Sequence, residues 1–165
     1  MLYLKIRGFE KVSEEVFLRD SNDVNLNINY KELNKPKRGT KYSAGYDFYS
    51  PYDFIIKPNE EIKVKTAIKA YMQEDEYLKI VVRSGHGFKY NIRLKNQVGI
   101  IDSDYYNNSN NEGHIIIALK NEGEKDFVIK KGEAFAQGIF QKYLLVDDDE
   151  FVFDTRIGGF NSTSK

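Results

Sequence analysis

The stretch "NQVGIIDSDYYNNSNNEGHIII" carries three chemically useful side chains within ten residues: the amide of Asn96, the carboxylate of Asp102 and the ring of Tyr105. An amide offers both a donor and an acceptor, so Asn96 can read the edge of a pyrimidine. A carboxylate at the tip of a rigid hairpin can orient and deprotonate a water. A tyrosine ring can pack against the face of a sugar. The plain alternative is a solvated tip, because acid- and Asn-rich turns between strands are common. The spacing of Asp102 and Asp104 also invites a calcium loop. That reading fails, since the sixth and twelfth loop positions, which need Gly and Glu, hold Asn107 and Gly113.

Four further segments interrupt the strand-like pattern with residues suited to an anionic ligand. In "VVRSGHGFKYN", Arg83 and Ser84 supply charged and hydroxyl donors, and Gly85 and Gly87 can free backbone N–H groups to form an anion-binding nest. A triphosphate needs a donor array of that density; a Gly-rich turn capping a short helix explains the same residues without a ligand. His86 between the glycines reads as an exposed turn residue. In "SAGYDFYS", Gly45 permits a close approach and Asp47 sits among aromatics, which also suits a loop leading into a strand. In "KGEAFAQGIF", Gln137 interrupts an apolar run, so its amide either bonds neighbouring backbone or faces a ligand. The end of the chain, "RIGGFNSTSK", combines Arg156, Phe160, Ser162 and Thr163: a guanidinium, a stacking ring and two hydroxyls on a Gly- and Ser/Thr-rich tail. Such a tail suits a lid that orders over a nucleotide. The run "VDDDE" reads as a solvated turn.

The elements that must position these residues are mostly strands. In "EIKVKTAIKAYMQ", Ile62, Val64, Ile68, Ala70 and Met72 share one face and Lys63, Lys65, Lys69 and Tyr71 the other, as one half-buried strand or two meeting near Thr66. "YLKIVVR" and "VNLNINY" alternate in the same way, and "EGHIIIALK", "DFVIKKG" and "AFAQGIFQKYLL" add short β-type runs bounded by turn residues. "SEEVFLRDS" reads as a brief helix start. The pattern predicts an all-β sandwich or barrel in one domain, which 165 residues can fill with a core.

Composition removes several alternatives. Twenty-five basic residues balance 25 acidic ones, so no global field draws nucleic acid or an anionic membrane. No run approaches the roughly 18 apolar residues of a membrane span, and "MLYLKIRG" lacks the form of a signal peptide. A cytoplasmic location is the expectation. The absence of cysteine excludes thiolate nucleophiles, disulfides and Cys-based zinc sites.

Taken in order, "AGYDFYS", "RSGHG", "VGIIDSDY", "GEAFAQ" and "RIGGFNSTS" resemble the five ordered motifs of the trimeric dUTP pyrophosphatases (dUTPases), from about Ala44 to the C-terminus. The resemblance implies a jelly-roll-like, distorted β-barrel over residues 1–155 and a flexible lid over 156–165. It further implies a homotrimer whose active sites lie between subunits, and Mg²⁺-dependent hydrolysis of dUTP to dUMP and pyrophosphate. That activity keeps uracil out of DNA and supplies dUMP for thymidylate synthesis. Carried over by motif, Asp102 activates the attacking water, and Tyr105 packs on the deoxyribose and excludes a 2′-hydroxyl. Asn96, with backbone groups around Gly99, reads uracil. Arg83, Ser84, Gly85 and Gln137 hold phosphates, and Asp47 holds waters of a Mg²⁺ bound mainly by the phosphates. Arg156, Ser162 and Thr163 close on the outer phosphates, and Phe160 stacks on the base.

Some features depart from the family pattern. Only Ile157 separates Arg156 from Gly-Gly-Phe, Asn161 and Ser164 stand where glycines are usual, and Ala134 replaces a common basic residue. The segment of about residues 20–40 is a candidate insertion, and "YNNSNNEG" reads as a solvent-facing elaboration. These two segments motivate an alternative, a dUTP-binding regulator that contacts a further protein partner. A dCTP deaminase would share the fold, but a second arginine near Arg83 and a glutamate at the hairpin are missing.

Overall fold

A computed structural model describes residues 4–22 and 28–151. Val24 and Leu26 of the expected "VNLNINY" strand, and tail residues Arg156, Phe160, Ser162 and Thr163, lie outside the described residues. Twelve strands occur among the described residues: β1 (Gly8–Lys11), β2 (Lys37–Arg38), β3 (Tyr46–Tyr49), β4 (Phe54–Ile56), β5 (Glu61–Lys65), β6 (Ile68–Tyr71), β7 (Glu76–Val82), β8 (Ile92–Leu94), β9 (Gly99–Asp102), β10 (Ile116–Asn121), β11 (Phe127–Ile129) and β12 (Ala134–Lys142). Two short helices, α1 (Glu14–Asp20) and α2 (Ser84–Tyr90), complete the chain with single 3₁₀ turns at Tyr30–Glu32 and Ser103–Tyr105. No helix among the described residues is long and apolar enough to cross a membrane.

All strand pairs are antiparallel, and the order β2-β3-β12-β7-β9 forms the largest sheet. Strands β5-β10-β8 form a second sheet, and β1-β6 and β4-β11 pair separately, in a jelly-roll-like arrangement. Alternation along β7 buries Glu76, Leu78 and Ile80, and along β10 it buries Ile117, Leu119 and Asn121. With Phe48, Phe54, Phe135 and Ile56 these apolar side chains make the main core. "EIKVKTAIKAYMQ" is two strands, which part at Thr66 and Ala67. Lys65, expected on the outer face, is buried there because the chain turns inward at the junction. Ala67 has φ +64, unusual without glycine. It is held by its N–H, which donates to His114 Nε2 (3.0 Å), and by its carbonyl, which accepts from Val12 N (2.9 Å).

Helix α1 begins where Ser13 Oγ accepts from Val16 N (3.3 Å), with Glu14 and Glu15 in the first turn and Arg19 in the last. Seven residues are too few for an isolated helix, so packing must hold it. Val16 and Phe17 enter a second small core with Val12, Leu33 and Ala67, against which Ile28 and Tyr30 pack. The N-terminal segment thus contributes a core of its own, and β2 extends the largest sheet.

Candidate active site

The expected hairpin tipped by Asp102 does not form, because β9 pairs with β7 while β10 pairs with β5 and β8; nor do β8 and β9, joined by the turn at residues 95–98, pair with each other. Strand β8 pairs with β10 in one sheet and β9 with β7 in another, so the chain splays as it changes sheet. Local sequence shows two strand-like runs and a turn; the partner of each is set by distant residues. The space opened by the splay is a cavity of about 530 Å³, with Asn96, Gly99, Asp102 and Tyr105 in its wall. Ile80, Leu94 and residues 115–118 supply its apolar side. The turn is tight: Gln97 has φ +65, its N–H donates to Leu94 O (3.0 Å), and Val98 N donates to Asn96 O (2.7 Å). Gly99 is required sterically, because a Cβ there would lie 2.9 Å from the Cβ of Ile80 on β7. Asp102 ends β9, and Ser103–Tyr105 turn immediately into the 3₁₀ helix.

A second group gathers at the far end of the large sheet. Asp47 on β3 lies opposite Gln137 on β12, which lies opposite Val81 on β7. Arg83, one residue beyond β7, pairs its Nε with Asp47 Oδ1 (3.2 Å) and donates from Nη1 to Ala134 O (3.3 Å). Gln137 donates from Nε2 to Val82 O (3.2 Å), so its amide is satisfied by neighbouring backbone. Gly45 makes that placement feasible, because a Cβ on it would overlap Gln137 Oε1. Ser84 and Gly85 open α2. Neither Gly85 nor Gly87 takes a positive φ, so the expected glycine nest is a helix start instead, whose first N–H groups have no acceptor within the helix. His86, expected to be exposed, is half-buried against Phe127 at 4.9 Å between ring centroids. Burial, and secondarily Arg83, hold its pKa below the usual imidazole value.

The two groups are well separated within one chain. Asp102 is level with Tyr77 and Asp47 with Val81, four residues along and three strands across. At about 3.3 Å per residue and 4.8 Å per strand, that diagonal is about 20 Å. Among the described residues no cluster of three or more acidic, His or Cys side chains could hold a metal ion. A lone carboxylate beside an arginine fits a hydrated Mg²⁺ whose main ligands are phosphates, and fits no protein-bound metal centre.

Sequence reading missed Lys63 and Lys95, which also line the cavity. The alternation of β5 puts Lys63 on its outer face, but nothing local indicates that this face looks into a cleft. The segment after Tyr105 is likewise not a solvent-facing elaboration as a whole. Asn108, Gly113 and His114 are buried, and the segment folds back on Tyr105. Asparagine side chains there bond backbone, which the sequence records only as polarity.

The β-barrel thus carries a polar-tipped cavity at one end of its largest sheet and an Arg–Asp–Gln cluster at the other. The dUTPase family profile matches residues 31–160, and the chain belongs to that family. A deoxyuridine 5′-triphosphate nucleotidohydrolase of Lactococcus lactis subsp. lactis (strain IL1403) is 40% identical over 163 residues, spanning 97% of this chain and 99% of the relative. The crystal structure of dUTPase from Streptococcus mutans superposes with a TM-score of 0.69 at 38% identity, covering 85% of this chain and 98% of that one. The Staphylococcus bacteriophage 80alpha dUTPase with dUPNHPP shares the fold at 20% identity and a TM-score of 0.65, covering 98% and 100%.

Proposed function

We propose that this chain hydrolyses dUTP to dUMP and pyrophosphate, in sites that each combine the cavity of one copy with the Arg83 cluster of another copy in a homotrimer. The observation that carries this is the separation of about 20 Å between Asp102 and Asp47, far more than a triphosphate spans. A chain folded this way cannot bring its own phosphate-binding group to its own cavity. A neighbouring copy can supply it.

In such a site the uracil and deoxyribose occupy the cavity, with Asn96 and the backbone around Gly99 at the base and Tyr105 against the sugar. A base with exchanged donors and acceptors, such as cytosine, would leave buried groups unpaired and be rejected. The neighbour's Arg83, Ser84, Gly85 and Gln137 hold the phosphates. A Cβ at Gly85 would meet only open space, so its neighbourhood is free for a ligand to approach. Asp102 orients a water against the α-phosphorus and accepts its proton. The new P–O bond forms as the bridging P–O bond to the β-phosphate breaks, and the electron pair leaves on pyrophosphate. Asp47 would hold waters of a Mg²⁺ bound with the substrate, an ion that would supply charge neutralisation at the phosphates. Arg156, Phe160, Ser162 and Thr163 are further candidates for substrate contact, on the motif resemblance alone.

Pyrophosphate release with Mg²⁺ on dUTP, UTP, dCTP and dTTP, for the wild type and Asp102→Asn, tests the reading. Turnover of dUTP alone is expected, falling roughly 10²- to 10⁴-fold in the variant. An Asp102→Asn protein with an unchanged rate would remove Asp102 from the chemistry.

A further inference from the structure

Tyr105 is held by a part of the chain that the motifs do not include. Its hydroxyl donates to His114 O (2.9 Å) and accepts from Asn111 Nδ2 (2.8 Å). Its carbonyl accepts from Asn108 Nδ2 (2.8 Å), which also donates to Asn111 Oδ1 (2.9 Å). Gly113 closes this wrap: φ is +85, its N–H donates to Asn111 Oδ1 (3.1 Å), and a Cβ would lie 2.6 Å from Tyr105 O. The ring is therefore fixed at both ends, by its backbone and by its phenol.

The wrap is in turn moored to α1. His114 is fully buried; its Nε2 accepts from Ala67 N–H (3.0 Å), so the proton sits on Nδ1 and faces Asp20 Oδ2 (2.7 Å). Those two bonds fix the histidine whose carbonyl receives the Tyr105 hydroxyl. Glu112 Oε2 accepts from Ser13 N (3.0 Å) at the start of α1 and from Lys69 Nζ (3.1 Å). Arg19 donates to Asn110 O (3.1 Å). Three points of α1 and its cap thus grip one nine-residue segment, 106–114, and α1 lies before residue 31, where the family match begins.

We propose that α1 and the asparagine-rich segment 106–114 form a positioning device that fixes the Tyr105 ring and thereby sets the discrimination between 2′-deoxyribose and ribose. This rests on the reading of Tyr105 as the sugar platform. Exclusion of a hydroxyl by a ring works only if the ring cannot tilt away, because a shift of about 1 Å is enough to spoil a positioned geometry. An unanchored tyrosine would yield to the extra oxygen of UTP while still covering the deoxyribose of dUTP. Asn111, His114 and Asp20 act through Tyr105 and touch no substrate.

The test is the ratio of kcat/KM for dUTP to that for UTP in the full-length protein. Variants are Tyr105→Ala, Tyr105→Phe, Asn111→Ala, Asp20→Ala, and the last two each combined with Tyr105→Phe. Tyr105→Ala is expected to collapse the ratio. Tyr105→Phe, which loses the bonds with His114 O and Asn111, and Asn111→Ala, which loses those with Tyr105, Asn108 and Gly113, are each expected to lower it at least roughly three- to tenfold, chiefly by admitting UTP. The Asp20→Ala effect should vanish in the Tyr105→Phe background, where the hydroxyl it acts through is gone, and the Asn111→Ala effect should shrink to what its bonds with Asn108 and Gly113 contribute. An unchanged ratio in Tyr105→Ala would overturn the sugar-platform reading itself. A collapsed ratio in Tyr105→Ala, with unchanged ratios in Tyr105→Phe, Asn111→Ala and Asp20→Ala, would leave the platform and overturn the positioning device. If Asn111→Ala does not fold, unchanged ratios in Tyr105→Phe and Asp20→Ala have the same force.

Discussion

Two inactive variants of this protein are expected to restore each other. On the proposed two-chain site, Asp102→Asn would remove the base from one end of the large sheet, and Arg83→Ala would remove a phosphate ligand from the other, about 20 Å away. Each variant alone carries its lesion in every site. In a mixed closed ring, each site takes Asp102 from one chain and Arg83 from the next. With equal random mixing, half the sites receive an intact Asp102 and half of those an intact Arg83, so about one quarter are whole. That fraction does not depend on the size of the ring. The assay unfolds equal amounts of both proteins together in urea, refolds them, and follows pyrophosphate release from dUTP beside each parent treated identically. Recovery near one quarter of the refolded wild-type rate is expected. Activity no higher than the parents, with subunit exchange verified by a mass tag, would refute the two-chain site and require both groups to work within one chain.

Two further outcomes follow from named contacts. Burial, its largest cause, pushes the His114 pKa below the ordinary imidazole value; Asp20 opposes the shift, and Arg19 and Lys65 reinforce it. Since the folded pKa lies below an unfolded value of about 6.5, this histidine's contribution is complete above that pH and is lost as pH falls through the folded value. His86 shifts in the same direction, so the melting temperature should drop below about pH 6.5, and His114→Gln should lessen that drop without abolishing it. Gly45→Ala drives a Cβ into Gln137 Oε1, and Gln137 must then give up Val82 O. The KM for dUTP should rise roughly three- to tenfold as the donor is displaced, with the β-sheet circular dichroism intact; an unchanged KM would dissociate Gln137 from the phosphates.

What the sequence revealed depended on how local the determining physics was. Alternation placed Leu78 and Ile80 inside β7 and marked the break at Thr66, because burial of one sheet face writes itself every second residue. The short helix after Ser13 was legible from its cap and acidic first turn. The divergence of β8 and β9 was not, since β10 and β7 choose those partners from elsewhere in the chain. Lys65 was assigned to the wrong face for a related reason: its strand ends in a turn that dives into the core. In the site, residue types marked Asn96, Asp102 and Tyr105, and the family resemblance added Gly99; the fold assembles all four around one cavity. Residue types marked Asp47, Arg83 and Gln137 equally, but gave no hint that this second group stands apart. His114 carries no local signal, because its partner Asp20 is 94 positions away.

Strand β9 is the last strand of its sheet, and among the described residues no strand pairs with its outer side. That side borders the cavity, so a nucleobase docked there would occupy the place of a missing neighbour strand. Edge strands are ordinarily a hazard, open to pairing with any extended chain. At the opposite edge the sheet ends in only two residues, both basic, Lys37 and Arg38. The β9 edge instead borders a recess of about 530 Å³ whose wall includes Asn96, Gly99 and Tyr105. A hydrogen-bond pattern carried by main chain persists when the side chains around it change. On the proposed reading of the cavity as the base site, exchanging Ile100 or Ile101 for another apolar residue would leave the base preference unchanged.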